Sequence, residues 1–239
     1  VKNIENMDSP VINNIIQAHP WFSYILTVFW IVGITNAINL IDGLDGLSSG
    51  ITLISCISLM IVFTINESPL LSIILITALA GAISGFLPYN FNPAKTFIGD
   101  VGSNFLGFSL AVISILGVAK TYTAIVIVAP IIVLGLPIFD TLFAIVRRIY
   151  QRKSLKGVFM PDKGHLHHRL MARGYTQKEA VFILYGFSAI LGVFAIVLLE
   201  SGVWKAVSFA MVVSAIIAVG YKDITRKADL NKAKMKRME

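Results

Sequence analysis

Apolar residues run along this chain in seven blocks, roughly 21–41, 50–66, 70–88, 101–119, 122–145, 180–200 and 203–221. Each block is close to the ~17–25 residues that a membrane-crossing helix needs. Several of the polar breaks are very short, such as Glu67-Ser-Pro69 and Lys120-Thr121. Breaks of that length force neighbouring helices to run antiparallel. The pattern predicts an all-α, polytopic membrane protein with about seven transmembrane helices. Residues 1–239 form a single membrane domain, and residues 222–239 form a basic tail. No internal repeat and no soluble domain interrupts the pattern.

Composition agrees with the pattern. The chain is 56% hydrophobic and 14% charged, against about 25% charged residues in soluble domains. Its mean hydropathy is +0.79. The net charge of +7 would suggest a nucleic-acid partner in a soluble protein. Here its placement matters more, and no nucleic acid is expected. If the 146–179 loop is cytoplasmic, alternation puts the segments near 42–50 and 89–100 and the tail after 221 on the same side. That side holds 17 of the 20 Lys and Arg residues. Such a bias is the positive-inside pattern and predicts a multi-pass plasma-membrane protein with these loops in the cytoplasm. Residues 1–20 are then expected outside. Residues 1–17 lack a basic stretch leading into an apolar one, so no signal peptide is expected. The lone Cys56 permits no intrachain disulfide.

Three polar motifs fall on the predicted cytoplasmic side. The first, Asn36 to Gly50, joins two apolar blocks and places two carboxamides and two carboxylates within ten residues. Asn39, Asp42 and Asp45 recur every third residue, which would put them on one face of a last helical turn. Gly43, Gly46 and Gly50 let the backbone leave the helix and approach a ligand. Acids at a membrane boundary are candidates for function. The plain alternative is a polar turn with Asp as a helix cap.

The second motif runs from Pro88 to Ser103. Pro88 and Pro93 are expected to stop helices. Asp100, between Gly99 and Gly102, either caps the following helix or holds a hard cation such as Mg²⁺, which prefers carboxylate, water and phosphate oxygens. Free backbone N–H groups at Gly102 and Ser103 would favour a phosphate nearby. Phe97, read by itself, is an apolar anchor.

The third motif runs from Pro161 to Leu170 and contains His165, His167, His168 and Arg169. On a helix His165, His168 and Arg169 share a face, and His167 points elsewhere. A transition-metal site, a cationic cradle for a pyrophosphate and a solvated amphipathic helix are all compatible with it. Thr176 and Glu179 spell a capping box that opens the next helix. Asp140 lies near the cytoplasmic end of its block, where it either pairs with a neighbouring helix or serves a site.

Asn36 to Leu47, Phe97 to Ser103 and His165 to Leu170 closely resemble three ordered motifs of the polyprenyl-phosphate N-acetylhexosamine-1-phosphate transferases, glycosyltransferase family 4. The likeness extends from about residue 21 to the end. The His-x-His-His form resembles the branch that uses undecaprenyl phosphate and UDP-GlcNAc. The resemblance implies transfer of GlcNAc-1-phosphate from UDP-GlcNAc to undecaprenyl phosphate with release of UMP. This step would start a cell-envelope glycopolymer such as teichoic acid. It implies Mg²⁺ or Mn²⁺ as cofactor, the bilayer as setting, and a homodimer as one assembly to consider. By the same resemblance Asp100 is the metal-binding acid. Asn39, Asp42, Gly43, Leu44 and Asp45 form the nucleotide loop, and Phe97 stacks on uracil. Asn90 is a further site residue, while His165, His167, His168 and Arg169 hold sugar and pyrophosphate. Asp42, Asp45 and the three histidines, with Asp100, make up the expected catalytic set.

The family also carries an Asp-Asp pair in an earlier loop, and this sequence has none. About four N-terminal helices are therefore expected ahead of these residues, in keeping with an N-terminus placed outside by the charge pattern. The 239 residues alone are expected not to turn over. Two other functions compete. An intramembrane aspartyl protease would need Gly-x-Gly-Asp, but Phe97 stands in place of the first glycine. A cation transporter would use Asp42, Asp45, Asp100 and Asp140 along a path, yet three of these lie at helix ends rather than at mid-membrane.

Overall fold

The computed structural model describes residues 20–118, 124–152 and 164–235, and among these every regular element is helical. In chain order they are α1 (Pro20–Ile41), α2 (Leu47–Ile65), α3 (Leu70–Asn90) and α4 (Gly99–Val118). There follow α5 (Ala124–Val133), α6 (Gly135–Arg152), the short α7 (Leu166–Ala172) and α8 (Gln177–Met235). Residues 1–19, Lys120-Thr121, and Lys153, Lys156 and Lys163 of the basic loop lie outside the described residues.

Four of the seven apolar blocks became α1 to α4, each long and apolar enough to cross a membrane. The block expected at 122–145 is two helices, α5 and α6, bent by 71°. Pro130, Gly135 and Pro137 flank the break, and proline removes the backbone bond that would hold such a helix straight. The last two blocks are one continuous element by backbone bonding, α8, except at Gly202, where φ is 76°. The rings of Phe194 and Phe209 lie 6.5 Å apart across that point. A straight helix would separate them by about 22 Å, so the chain doubles back at Gly202 as an antiparallel pair. The backbone of α8 carries on as helix to Met235, through most of the stretch expected as a tail. Pro88 does not end α3; it sits inside the last turn, which closes two residues later at Asn90.

The chain is thus an all-helical, polytopic membrane protein. α2 is the most deeply buried of the spans. Ile34, Ile38, Leu59, Val62, Phe63, Ile76 and Leu110 form the main apolar core between α1, α2, α3 and α4. Small residues allow close approach, as is usual where lipid gives no hydrophobic drive. A Cβ at Gly117 would lie 2.1 Å from the Phe63 ring, and one at Gly192 would lie 2.1 Å from Ser58 Oγ. A second cluster, Ile41, Leu47, Ile51, Leu136, Val181 and Leu184, joins the α1–α2 turn to α6 and α8.

Candidate active site

Two helix ends make the first half of the site. α1 and α4 run antiparallel, and they touch backbone to backbone at Gly107. A Cβ there would lie 2.7 Å from Thr35 Cα. One turn toward the site on both helices, Asn39 meets Ser103. Asn39 Nδ2 donates to Ser103 Oγ at 2.8 Å and reaches Asp100 Oδ1 at 3.5 Å. Farther along the same seam Trp30 Nε1 donates to Ser114 Oγ at 3.0 Å. Helix register therefore delivers Asn39 to Asp100.

α1 ends at Ile41, so Asn39, Asp42 and Asp45 do not share a helical face. Asp42 is in the turn, where its Oδ1 accepts from Ser48 Oγ at 2.6 Å. Its carboxyl is held above the ordinary value by burial; the Ser48 bond opposes the shift, and the neighbouring Asp100 charge adds to it. Asp100 is exposed and makes no capping bond in α4 among the described residues. Ser103 Oγ instead donates back to the Gly99 carbonyl at 3.0 Å.

Asp45 faces the other way. Its Oδ2 accepts from Asn92 Nδ2 at 2.9 Å and from the Ala94 amide at 3.2 Å, which ties the 91–98 loop to the first motif. Asn90 is buried and engaged at both ends of its amide: Oδ1 accepts from Ser49 Oγ at 2.7 Å, and Nδ2 donates to the Thr96 carbonyl at 2.9 Å. Both residues shape the loop that carries Phe97. That ring is 73% exposed, so it anchors nothing within the described residues. Leu44, like Phe91, Leu166 and Tyr185, packs against the second apolar cluster.

The histidine motif forms the second half. α7 begins at Leu166, with His165 as its N-cap, so the helical-face grouping of His165, His168 and Arg169 does not apply. His167 turns inward and is buried. It lies under the first motif: a Cβ on Gly43 would sit 2.2 Å from His167 Nε2. Glycine at 43 is what lets the two loops interlock. Neither ring nitrogen of His167 has a hydrogen-bond partner among the described residues. Burial, with His168 next to it, pushes its pKa down to about 4, against a smaller upward pull from Asp140. This ring is therefore neutral at pH 7. His165 stacks parallel to it, with centroids 5.9 Å apart, and the tilted His168 ring lies 4.2 Å away. Arg169 is exposed, and its guanidinium lies 5.2 Å from the Phe143 ring. The capping box forms as expected, with the Thr176 amide donating to Glu179 Oε2 at 2.8 Å and the Glu179 amide to Thr176 Oγ1 at 3.3 Å.

Among the described residues no three His, Cys, Asp or Glu side chains are grouped closely enough for an all-protein metal cage. Asp42 and Asp100 interact electrostatically, and Asn39 stands beside Asp100. These are hard oxygen donors in small number. They fit a Mg²⁺-type ion, which keeps waters and takes phosphate oxygens as its other ligands. Serines 48 and 103, Gly107 and Tyr185 are positioning residues that spacing alone does not reveal. Tyr185, from α8, donates its hydroxyl to the Gly46 carbonyl and occupies the space that a side chain on Gly50 would need.

Residues 1–118, which contain the first two motifs, match the model of Glycosyl transferase family 4. The chain is 48% identical over 184 residues to the probable undecaprenyl-phosphate N-acetylglucosaminyl 1-phosphate transferase of Bacillus subtilis, covering 77% of this chain and 50% of that protein. It is 37% identical over 182 residues to the decaprenyl-phosphate N-acetylglucosaminephosphotransferase of Mycobacterium leprae, covering 68% and 45%. It is 33% identical over 199 residues to the phospho-N-acetylmuramoyl-pentapeptide-transferase of Chlamydia muridarum, covering 80% and 57%. The chain spans about half the length of the curated relatives it matches. With both glycine-flanked acid motifs inside the matched region and joined at one helix seam, the chain belongs to glycosyl transferase family 4.

Proposed function

We propose that the protein carrying this chain transfers GlcNAc-1-phosphate from UDP-GlcNAc to undecaprenyl phosphate on the cytoplasmic face of the plasma membrane. The observation that carries the reading is the meeting of three distant motifs, Asn39 beside Asp100 and Ser103 and His167 under Gly43. In this reading an oxygen of the lipid phosphate attacks the β-phosphorus of the sugar nucleotide. The bond from that phosphorus to the UMP oxygen breaks, and a lipid-linked diphosphate sugar forms. Such a step needs positioning and charge neutralisation more than covalent help from the protein. Asp100 and Asp42 would hold Mg²⁺ or Mn²⁺, which when bound supplies positive charge to the pyrophosphate. Phe97 presents an open ring on which uracil could stack. Asp45 and Asn90 act indirectly, by holding the loop that carries Phe97. Arg169, at the exposed edge of the histidine turn, supplies a guanidinium for a phosphate.

Two of the relatives named above are named for polyprenyl phosphates, undecaprenyl phosphate in one and decaprenyl phosphate in the other. The greater identity to the first favours undecaprenyl phosphate as acceptor. The one-sided distribution of Lys and Arg supports the cytoplasmic placement. The test uses the full-length protein in lipid nanodiscs with UDP-GlcNAc, undecaprenyl phosphate and Mg²⁺. UMP and GlcNAc-diphospho-undecaprenol are expected in equal amounts. UMP without the lipid product, or neither, would overturn the reading.

A further inference from the structure

Asp140 is a buried carboxylate with no part in the chemistry proposed above. It sits in α6, and both of its oxygens are directed at the histidine turn. Oδ1 accepts from the Leu166 amide at 2.8 Å, and Oδ2 lies 2.9 Å from His165 Nδ1. His165 is itself buried. The Leu166 amide is the first unpaired N–H of α7, which a helix must satisfy from outside itself. Asp140 does so across 26 residues of sequence, and the same group faces the ring beside that amide. An ionised carboxylate only accepts hydrogen bonds. Nδ1 must then carry the hydrogen, and the tautomer of a neutral ring is set by the bond that one nitrogen makes. Nε2 is left with its lone pair and has no partner among the described residues. The parallel His167 ring, 5.9 Å away, limits rotation on one side.

We infer that Asp140 is a positioning residue for the transfer reaction: it fixes His165 as the Nδ1–H tautomer and so presents Nε2 as a hydrogen-bond acceptor to a hydroxyl or amide of the sugar nucleotide. The inference rests on the proposed function for the identity of that ligand. The orientation itself rests on geometry alone. Asparagine cannot replace the carboxylate. It has one oxygen, and the two donors face different oxygens of Asp140, the Leu166 amide Oδ1 and His165 Nδ1–H Oδ2. In Asp140→Asn either the ring changes tautomer, with Asn Nδ2 donating to Nδ1, or the amide loses its acceptor.

Two measurements test this, both on the full-length protein. The first labels histidine with ¹⁵N and reads long-range ¹H–¹⁵N couplings at pH 7.5, with His165 identified by its absence in His165→Gln. The wild type is expected to show Nδ1–H at His165, and Asp140→Asn is expected to convert it to Nε2–H or to a mixture. Nε2–H in the wild type, or an unchanged ring in Asp140→Asn, overturns the inference. The second compares kcat/KM for UDP-GlcNAc. Supporting groups behind a site residue are typically worth about 10–100-fold, and that loss is expected for Asp140→Asn. In the His165→Gln background the same change should cost less than about 3-fold, because residues acting as one unit are not additive. An equal loss in both backgrounds would make Asp140 merely structural and overturn the inference. If the wild type releases no UMP, the proposed function fails, and the ring spectrum still decides the orientation. If Asp140→Asn does not fold, the wild-type spectrum decides it.

Discussion

The two halves of the site are built on opposite plans. At the α1–α4 seam the chemistry sits at helix ends and faces outward: Asp100 is exposed, and its carboxylate is left open beside Asn39. At the histidine turn the chemistry is folded inward, with His165 and His167 buried and one of them clamped by Asp140. The first half takes its geometry from long helices in register. The second takes it from a turn of seven helical residues that cannot hold itself and borrows a carboxylate from α6 and space at Gly43. Open carboxylates suit a hydrated cation and a phosphate ligand. Buried imidazoles suit fixed, directional hydrogen bonds. An open carboxylate at the end of the seam should therefore act on turnover with little effect on stability, and a residue at the turn should act on both.

The largest expected effect is at the open carboxylate. Asp100→Asn should lower turnover by about 10²–10³-fold, since charge supplied to a phosphoryl group contributes several kcal/mol. Its melting temperature in detergent should stay within about 2 °C, as surface changes usually fall within about 0.5 kcal/mol. A large fall in melting temperature would instead assign Asp100 to helix capping and erase the contrast.

The seam itself comes next. Gly107→Ala puts a Cβ 2.7 Å from the Thr35 backbone, and such overpacking costs about 1–3 kcal/mol. Gly81→Ala and Gly85→Ala, in α3, meet nothing within 4 Å and should be neutral or slightly stabilising. Thermal unfolding of the three variants checks this. Equal melting temperatures would show that register is set elsewhere.

Titration sharpens the other side. His167 has a folded pKa of about 4, below its ordinary 6.5, so the unfolded chain takes up the proton first. This contribution to stability is fully present above pH 6.5 and is lost as pH falls toward 4. The groups facing the ring are Asp140, His165 and His168. Chemical denaturation at pH 7.5 and 4.5 should differ less in His167→Gln than in the wild type, by about 1–3 kcal/mol. An identical pH dependence would mean that the ring is not buried in solution.

The smallest effect is expected at Tyr185→Phe, which loses the bond to the Gly46 carbonyl and should cost about 1 kcal/mol. Because Tyr185 braces the loop shared by both halves, turnover should fall less than about 10-fold. A greater fall would make the brace a shared determinant and blur the distinction between the halves.

Much of this was legible along the chain. The apolar blocks predict spanning helices, although among the described residues five, or six with the bent pair counted as one, are long and apolar enough where the pattern predicts seven, and the Thr176–Glu179 spacing predicts a cap that forms. Other features were not. The three-residue recurrence of Asn39, Asp42 and Asp45 suggests one helical face, but the helix stops at Ile41 and Asp45 turns to the 91–98 loop. Asp140 could be read equally as a helix-pairing or a site residue, because nothing near it in sequence says what it meets. The bend between α5 and α6 has local causes in Pro130, Gly135 and Pro137, yet the apolar block reads as continuous because hydropathy does not register direction.

By itself, the sequence determined the membrane class, the order of the apolar segments, and the identity of the chemical groups at the helix ends. These follow from composition and local spacing, which act within one segment at a time. Only the tertiary structure decided which groups meet. Asn39 reaches Asp100 because Gly107 lets two backbones touch, and His167 lies under the first motif because residue 43 has no side chain. Asp140 holds His165 across 25 residues. Such pairings depend on space left by a small residue on one segment and filled by another, and that information is shared between distant parts of the chain.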